Sequence, residues 1–144
     1  WVPRPIDEIF TFFADAANLQ ELTPRGLHFE MLTRKPIDMR VGAMIDYKLI
    51  IRGIPIRWRS EITAWDRPNR FVDEQRRGPY RYWIHEHRFT MREGGTVVAD
   101  DVRYAVPGGP LVHILFVKRD LKRIFTYRCE RMQQLFGETT AAAT

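Results

Sequence analysis

Apolar residues repeat at a helical period near both ends of the chain and at a period of two between them. Ile6, Ile9, Phe10 and Phe13 fall on one face of a helix predicted over 6–15. Asp7 and Glu8 stand in its first turn, where the helix dipole favours acids. Pro3 and Pro5 keep that helix from starting earlier. A second short helix is predicted over 18–22, stopped by Thr23-Pro24. From Leu27 the alternation predicts strands at 27–33, 44–51, 54–65, 70–77, 81–91 and 96–106. Turn residues separate most of them: Pro36 to Gly42, Arg52-Gly53, Pro68-Asn69, Gly78-Pro79 and Gly94-Gly95. Pro107-Gly108-Gly109-Pro110 ends the last strand. One long helix then reads over 111–136, with Ile114, Val117, Leu121, Ile124, Phe125, Met132, Leu135 and Phe136 as its apolar stripe. Lys118, Arg119, Lys122, Arg123 and Arg131 supply its wet side. Gly137 closes it, and 138–144 reads as a disordered tail. The pattern predicts one α+β domain over 1–137. Six meandering strands cannot bury their apolar face alone. A helix of that length, about 39 Å, can lie across a curved antiparallel sheet and leave a space beneath it.

Turn length decides which residues share a face. With Arg52-Gly53 as a two-residue loop, Ile51 opposes Ile54, Leu49 opposes Ile56, Tyr47 opposes Trp58 and Ile45 opposes Ser60. A loop over 92–95 sets Met91 opposite Thr96, Phe89 opposite Val98, His87 opposite Asp100 and His85 opposite Val102. A three-residue loop over 78–80 sets Gln75 beside Trp83, Asp73 beside His85 and Phe71 beside His87; a two-residue loop would set Asp73 opposite Ile84 instead. Among the apolar residues Ile45, Tyr47, Leu49, Trp58, Phe71, Phe89 and Tyr104, the inner face then carries Asp73, Gln75, His85, His87 and Asp100.

Buried charges are costly unless paired, so this cluster needs a reason, and four stand open. It can be a self-satisfied network that shapes the core. It can anchor the polar end of an otherwise apolar small molecule. It can do acid–base chemistry, since a carboxylate beside a histidine orients the ring and raises its pKa. Or His85-x-His87 with two carboxylates can chelate a metal, although simple alternation produces the same spacing. Cys129 stands on the long helix next to Arg128 and reads as packing. His28 and His113 stand alone and carry no assigned role.

Composition narrows the classes. The chain has 144 residues, the length of one domain, and 18 aromatics rule out disorder over most of it. A lone cysteine excludes a disulfide framework and a cysteine-based zinc site. No apolar run approaches the roughly 20 residues of a membrane-spanning helix, so no stable membrane insertion is expected. The net charge is +5, but the basic residues are scattered rather than blocked, and nucleic acid is not expected as a partner. No leader is read before Trp1, and a reducing cytoplasm is the expected location.

Several stretches together resemble a known family. They are Ile9-Phe10 to Asn18-Leu19 with Thr23-Pro24, Gly53-Ile-Pro-Ile-Arg-Trp58, Phe71-Val-Asp-Glu-Gln75, Gly78-Pro79-Tyr80, Trp83-Ile-His-Glu-His87-Arg-Phe89, and Gly95-Thr96 to Asp100 followed by Tyr104 and Pro107. Over most of its length the chain resembles the START/Bet v 1-like, or SRPBCC, superfamily with its helix-grip fold, and within it a bacterial cyclase-like subgroup related to polyketide cyclases and dehydrases. The resemblance implies a sheet of six to seven strands gripping the C-terminal helix around a hydrophobic cavity. It also implies a first strand before the first helix, of which Trp1 to Pro3 would be the end, with further residues upstream. Members bind lipids, sterols, polyketides or plant hormones, and some cyclise or aromatise polyketides. The subgroup carries no agreed catalytic residues.

The expectation is therefore a binding module for a hydrophobic or amphipathic small molecule, a monomer or homodimer needing no cofactor and no metal. Tyr47, Trp58, Phe71, Trp83, Phe89, Tyr104 and Phe125 would form walls, and Asp73, Gln75, His85, His87 and Asp100 the polar end. The N-terminal helix pair and the loop after it would gate the cavity. The alternative is a polyketide cyclase/aromatase-type enzyme. In it His85 or His87 takes a proton, Asp73 or Asp100 orients the ring, and Tyr104 or Gln75 polarises the oxygen.

Overall fold

A computed structural model describes residues 1–137; the expected tail at 138–144 lies outside them. Helix α1 (Ile6–Ala14) follows Pro5 and buries Ile6, Ile9, Phe10 and Phe13. Phe10 sets its ring edge-on to Trp65, Phe71 and Phe89, with centroids 5.2, 6.0 and 5.4 Å away. The second helix is a 3-10 turn, Ala16–Gln20, whose first turn is capped by the Asp15 side chain accepting from Ala17 N.

Six strands follow: β1 (Glu30–Met31), β2 (Met44–Ile51), β3 (Ile54–Asp66), β4 (Arg70–Arg77), β5 (Tyr82–Arg92) and β6 (Gly95–Ala105). They form one antiparallel sheet in sequence order. The expected first strand shrinks to two residues for local reasons. A 3-10 turn occupies Arg25–Leu27, and His28 after it takes a left-handed φ of 47°. At the other end Leu32 N and Thr33 N both donate to Asp46 O, and the Thr33 hydroxyl accepts from Asp46 N at 2.7 Å, so the regular ladder gives way to an irregular pairing. Val2 forms an isolated antiparallel bridge with Thr96, with N–O distances of 3.0 and 2.9 Å, on the otherwise open edge of β6.

The hairpin registers match the alternation argument. Tyr47 opposes Trp58 and Ile51 opposes Ile54. Asp73 opposes His85 and Phe71 opposes His87. His87 opposes Asp100 and Phe89 opposes Val98. The β5–β6 loop is Glu93-Gly94 alone, both at positive φ, because Arg92 and Gly95 also pair; the shorter loop leaves every pair in place. Gln75 and Trp83 are not a ladder pair, since β4–β5 pairing ends at Glu74 and Ile84.

The C-terminal helix is not one uninterrupted element. Helix α2 (Gly109–Val112) runs into a π-helical turn, His113–Val117, before helix α3 (Lys118–Phe136). The wider turn rotates what precedes it relative to the stripe behind it. Ile114, predicted for the stripe, is 65% exposed, beside exposed Leu111, Leu115 and Phe116. Past the turn, Leu121, Arg128 and Met132 are buried. Arg52, at the β2–β3 loop, donates to both Asp120 oxygens at 2.9 Å and ties the hairpin to α3. Cys129 is exposed, contrary to the packing reading. Among the described residues no helix is long and apolar enough to cross a membrane.

Candidate functional site

Sheet and α3 enclose a cavity of about 170 Å³. A single water needs about 10–15 Å³ on that measure, so the space is many times larger than a structural-water site. Of the residues expected there, Tyr47, Trp58, Phe71, Asp73, Trp83, His85, His87 and Phe125 line it. The 3-10 turn and the chain after it add Leu19, Leu22 and Leu27. Tyr47 stacks on Trp58 with centroids 5.9 Å apart, and Trp83 meets Trp58 edge-on at 5.5 Å. The indole N–H of Trp58 donates to Ser60 Oγ at 3.1 Å, which satisfies its polar edge inside the core.

Four expected residues stand elsewhere. Phe89 is buried in the packing between sheet and α1, against Phe10 and Phe13. Tyr104 shares a 2.7 Å hydrogen bond with His113 Nε2, which gives that lone histidine a partner. Gln75 closes the β4–β5 turn: Nε2 donates to Tyr80 O at 2.8 Å and Oε1 accepts from Tyr80 N at 3.2 Å. Asp100 sits behind the histidines and lines a separate outer crevice with Val98, Met132 and Gln133.

Alternation on β4, β5 and β6 brings Asp73, His85, His87 and Asp100 side by side. His85 Nε2–H donates to Asp100 Oδ1 at 2.8 Å, and His87 Nε2–H donates to Asp73 Oδ2 at 2.9 Å. Asp100 Oδ1 also stands 3.2 Å from His87 Nδ1. The two imidazoles lie 3.8 Å apart, with Phe71 stacked on His87 at 4.1 Å and Phe125 edge-on to His85 at 5.7 Å. Both carboxylate side chains are only 19% exposed, although the backbone of Asp100 lies on the edge strand.

Arg128 completes the cluster from α3. Its side chain is 9% exposed, with Nε 3.6 Å from Asp100 Oδ2 and Nη2 donating to His87 Nδ1 at 3.4 Å. Nε itself is buried without a hydrogen-bond partner. The guanidinium also lies 5.4 Å from the Phe13 ring centroid, within cation–π range. Position 128 was not among the expected site residues, but one signal points to it. It falls four residues after Ile124 and four before Met132, where the stripe calls for an apolar side chain and the sequence has a charge. Tyr80, from the β4–β5 turn, is a second unforeseen lining residue.

Burial pushes the Asp100 carboxyl up, but Arg128, the hydrogen bond from His85 and the adjacent His87 ring outweigh it and hold the group well below the usual carboxylate range. Burial likewise opposes ionisation of Asp73, and the His87 hydrogen bond leads the interactions that still lower it. Burial depresses His85 to about 4, helped by neighbouring His87 and opposed by the hydrogen bond to Asp100. At neutral pH the cluster thus holds two carboxylates, one guanidinium and a neutral His85. Burial pushes the Tyr80 hydroxyl up to about 12, so it remains a donor.

A curved antiparallel sheet gripping a C-terminal helix around an apolar cavity defines the START/Bet v 1-like class, the SRPBCC superfamily. More narrowly, the chain belongs to the polyketide cyclase / dehydrase and lipid transport family, whose model matches residues 2–132. Solved structures of the same fold include protein CV1439 from Chromobacterium violaceum. It is 13% identical with a TM-score of 0.74, the match covering 96% of this chain and 93% of that one. Protein Ms6760 from Mycobacterium smegmatis is 19% identical with a TM-score of 0.67, covering 93% and 85%. The ginseng major latex-like protein 151 from Panax ginseng is 10% identical with a TM-score of 0.68, covering 94% and 91%. No curated protein matches the chain in sequence.

Proposed function

We propose that the chain binds a hydrophobic or amphipathic small molecule, lipid-, sterol- or polyketide-like, in the cavity between sheet and α3. The observation that carries this reading is the aromatic wall of Tyr47, Trp58, Trp83 and Phe125 closed at one end by Asp73, His85, His87 and Arg128. Such a space favours a guest with an apolar body and one polar end, the usual composition of a small-molecule site. Gln75 and Tyr104 leave the set of polar contacts, and Arg128 joins it.

Two experiments test it. Native mass spectrometry of gently purified protein, with solvent extraction, should release a small apolar compound. An environment-sensitive naphthalene sulfonate should bind with quenching of tryptophan emission, because Trp58 and Trp83 line the space. A clean mass together with no quenching up to millimolar probe sinks the reading.

One observation favours the enzymatic alternative. His85 is held neutral with Nε2 tied to Asp100, which leaves Nδ1 on the side of Asp73 as an available base. In that reading His85 takes an acidic proton beside a carbonyl and Arg128 steadies the oxygen. A poly-β-ketone mimic would then turn over with a pH dependence lost in His85→Gln, whereas a pure binding module would bind it unchanged.

A further inference from the structure

We propose that Asp73, His85 and His87 form a binding site for one divalent first-row transition ion of the zinc or iron(II) kind, open toward the cavity. One oxygen of Asp73 and one nitrogen of each histidine lie within 4.8 Å of one another. Asp73 Oδ2 stands 2.9 Å from His87 Nε2 and 3.8 Å from His85 Nδ1. Ligands held about 2.0–2.2 Å from a common ion stand about 3–3.5 Å apart, and those two separations bracket that value.

The far side of both rings makes this more than a chance cluster. Asp100 Oδ1 lies 2.8 Å from His85 Nε2 and 3.2 Å from His87 Nδ1. A ligating histidine normally gives its second N–H to a carboxylate or carbonyl, which fixes its tautomer and its aim. Here Asp100 accepts from His85 Nε2–H and stands where it can accept from His87 once that ring carries its proton on Nδ1, a tautomer that leaves His85 Nδ1 and His87 Nε2 as the nitrogens facing Asp73. The ligands line the cavity while Asp100 lies behind them, so the ion's remaining positions would face the guest.

Charge points the same way. Two carboxylates, against one guanidinium, stand at the two rings, a donor set that suits a cation rather than an anion. Arg128 lies beside Asp100 Oδ2 and makes only a 3.4 Å contact with His87 Nδ1. With an ion bound, His87 Nδ1–H donates to Asp100 and that contact is given up. Two imidazoles with one carboxylate select zinc, cobalt or iron(II) over magnesium or calcium. Coordination uses the same His85 Nδ1 lone pair that the acid–base reading needs, so the two uses exclude each other. The site stands whether or not an organic guest binds.

The test is a cobalt(II) titration of the chelator-stripped chain, followed by visible d–d absorption and by quenching of Trp83, whose ring centroid is 6.2 Å from that of His85. The expected result is one equivalent bound, displaced by zinc and unaffected by excess magnesium. Asp73→Asn and the double variant His85→Gln with His87→Gln should abolish the bands. Asp100→Asn keeps all three ligands and should weaken binding about 10–100-fold; it decides the matter if the histidine variants fail to fold by near-ultraviolet circular dichroism. Absence of stoichiometric uptake by the unaltered chain overturns the proposal. So does uptake that persists in the double-histidine variant, or an affinity indifferent to Asp100→Asn.

Discussion

A buried imidazole that will not accept a proton makes the fold acid-sensitive in a defined window. The unfolded chain protonates His85 near 6.5, whereas in the fold it does so only near 4. Between those values the unfolded state holds the extra proton, so stability falls as pH falls, by about 3 kcal/mol in all. Below the lower value the His85 loss is complete. Asp73 and Asp100 then take over: their stability is present above the ordinary 3.8 and is lost as pH drops through their depressed values. Melting temperature measured from pH 7 to 4 should slope downward and flatten in His85→Gln; an unchanged slope in that variant excludes His85 as the source. Arg128 is the other single residue on which the cluster depends. Arg128→Met leaves two carboxylates near each other with no guanidinium and should cost about 3–5 kcal/mol in urea unfolding. Combining it with Asp100→Asn should recover part of that, because the unpaired charge goes too. Additive losses would show that the two side chains do not act as a pair.

The strands show how far local pattern carries, and where contacts distant in sequence take over. The two-residue loop Arg52-Gly53 ties register to alternation, so Tyr47–Trp58 was legible from the chain alone, whereas Asp73–His85 followed only from taking the β4–β5 loop as three residues, a two-residue loop giving Ile84 as its partner. The polar inner face was legible for the same reason. Gln75 and Tyr104 share that face by parity, but each found a nearer partner at its strand end, the Tyr80 backbone and His113. Helix periodicity marked the stripe of α3 but not the π-helical turn at His113–Val117, which preserves composition while shifting phase. Arg128 was hidden because charge alone assigns a helix position to water, and only partners on two other strands bring it inside. The N-terminal segment depends on close approach. A Cβ on Gly95 would run into the Val2 carbonyl oxygen and the Trp1 ring. Gly95→Ala should therefore open the Val2–Thr96 bridge, costing about 1–3 kcal/mol, with faster hydrogen exchange at Val2 and Thr96 and little change in β2 or β3. Equal exchange at both amides would mean that the edge accommodates the methyl group.

At the scale of the whole molecule, α3 is tied to the rest of the fold near both ends and reaches the sheet between them through Arg128. Arg52 to Asp120 ties the β2–β3 hairpin to the start of α3, Arg131 to Glu21 ties the helix to the chain after the 3-10 turn, and Gln133 Nε2 donates to Trp1 O at 2.7 Å. Between these ties lies the cavity, with Ile124 of α3 among its lining. A space held open by its rim can be filled without disturbing what holds it. Ile124→Trp directs an indole into it, burying apolar surface at roughly 25 cal/mol per Å² while removing room for a guest. The expected outcome is a melting temperature unchanged or raised, together with at least a tenfold loss of affinity for the naphthalene sulfonate probe. Probe affinity in the unaltered chain should also vary little between low and high salt, because contacts inside an apolar cavity are screened far less than surface charges. A steep fall with salt, with affinity retained in Ile124→Trp, would place the probe instead on the basic outer surface of α3, where Lys118, Arg119, Lys122 and Arg123 stand beside the exposed Leu115 and Phe116.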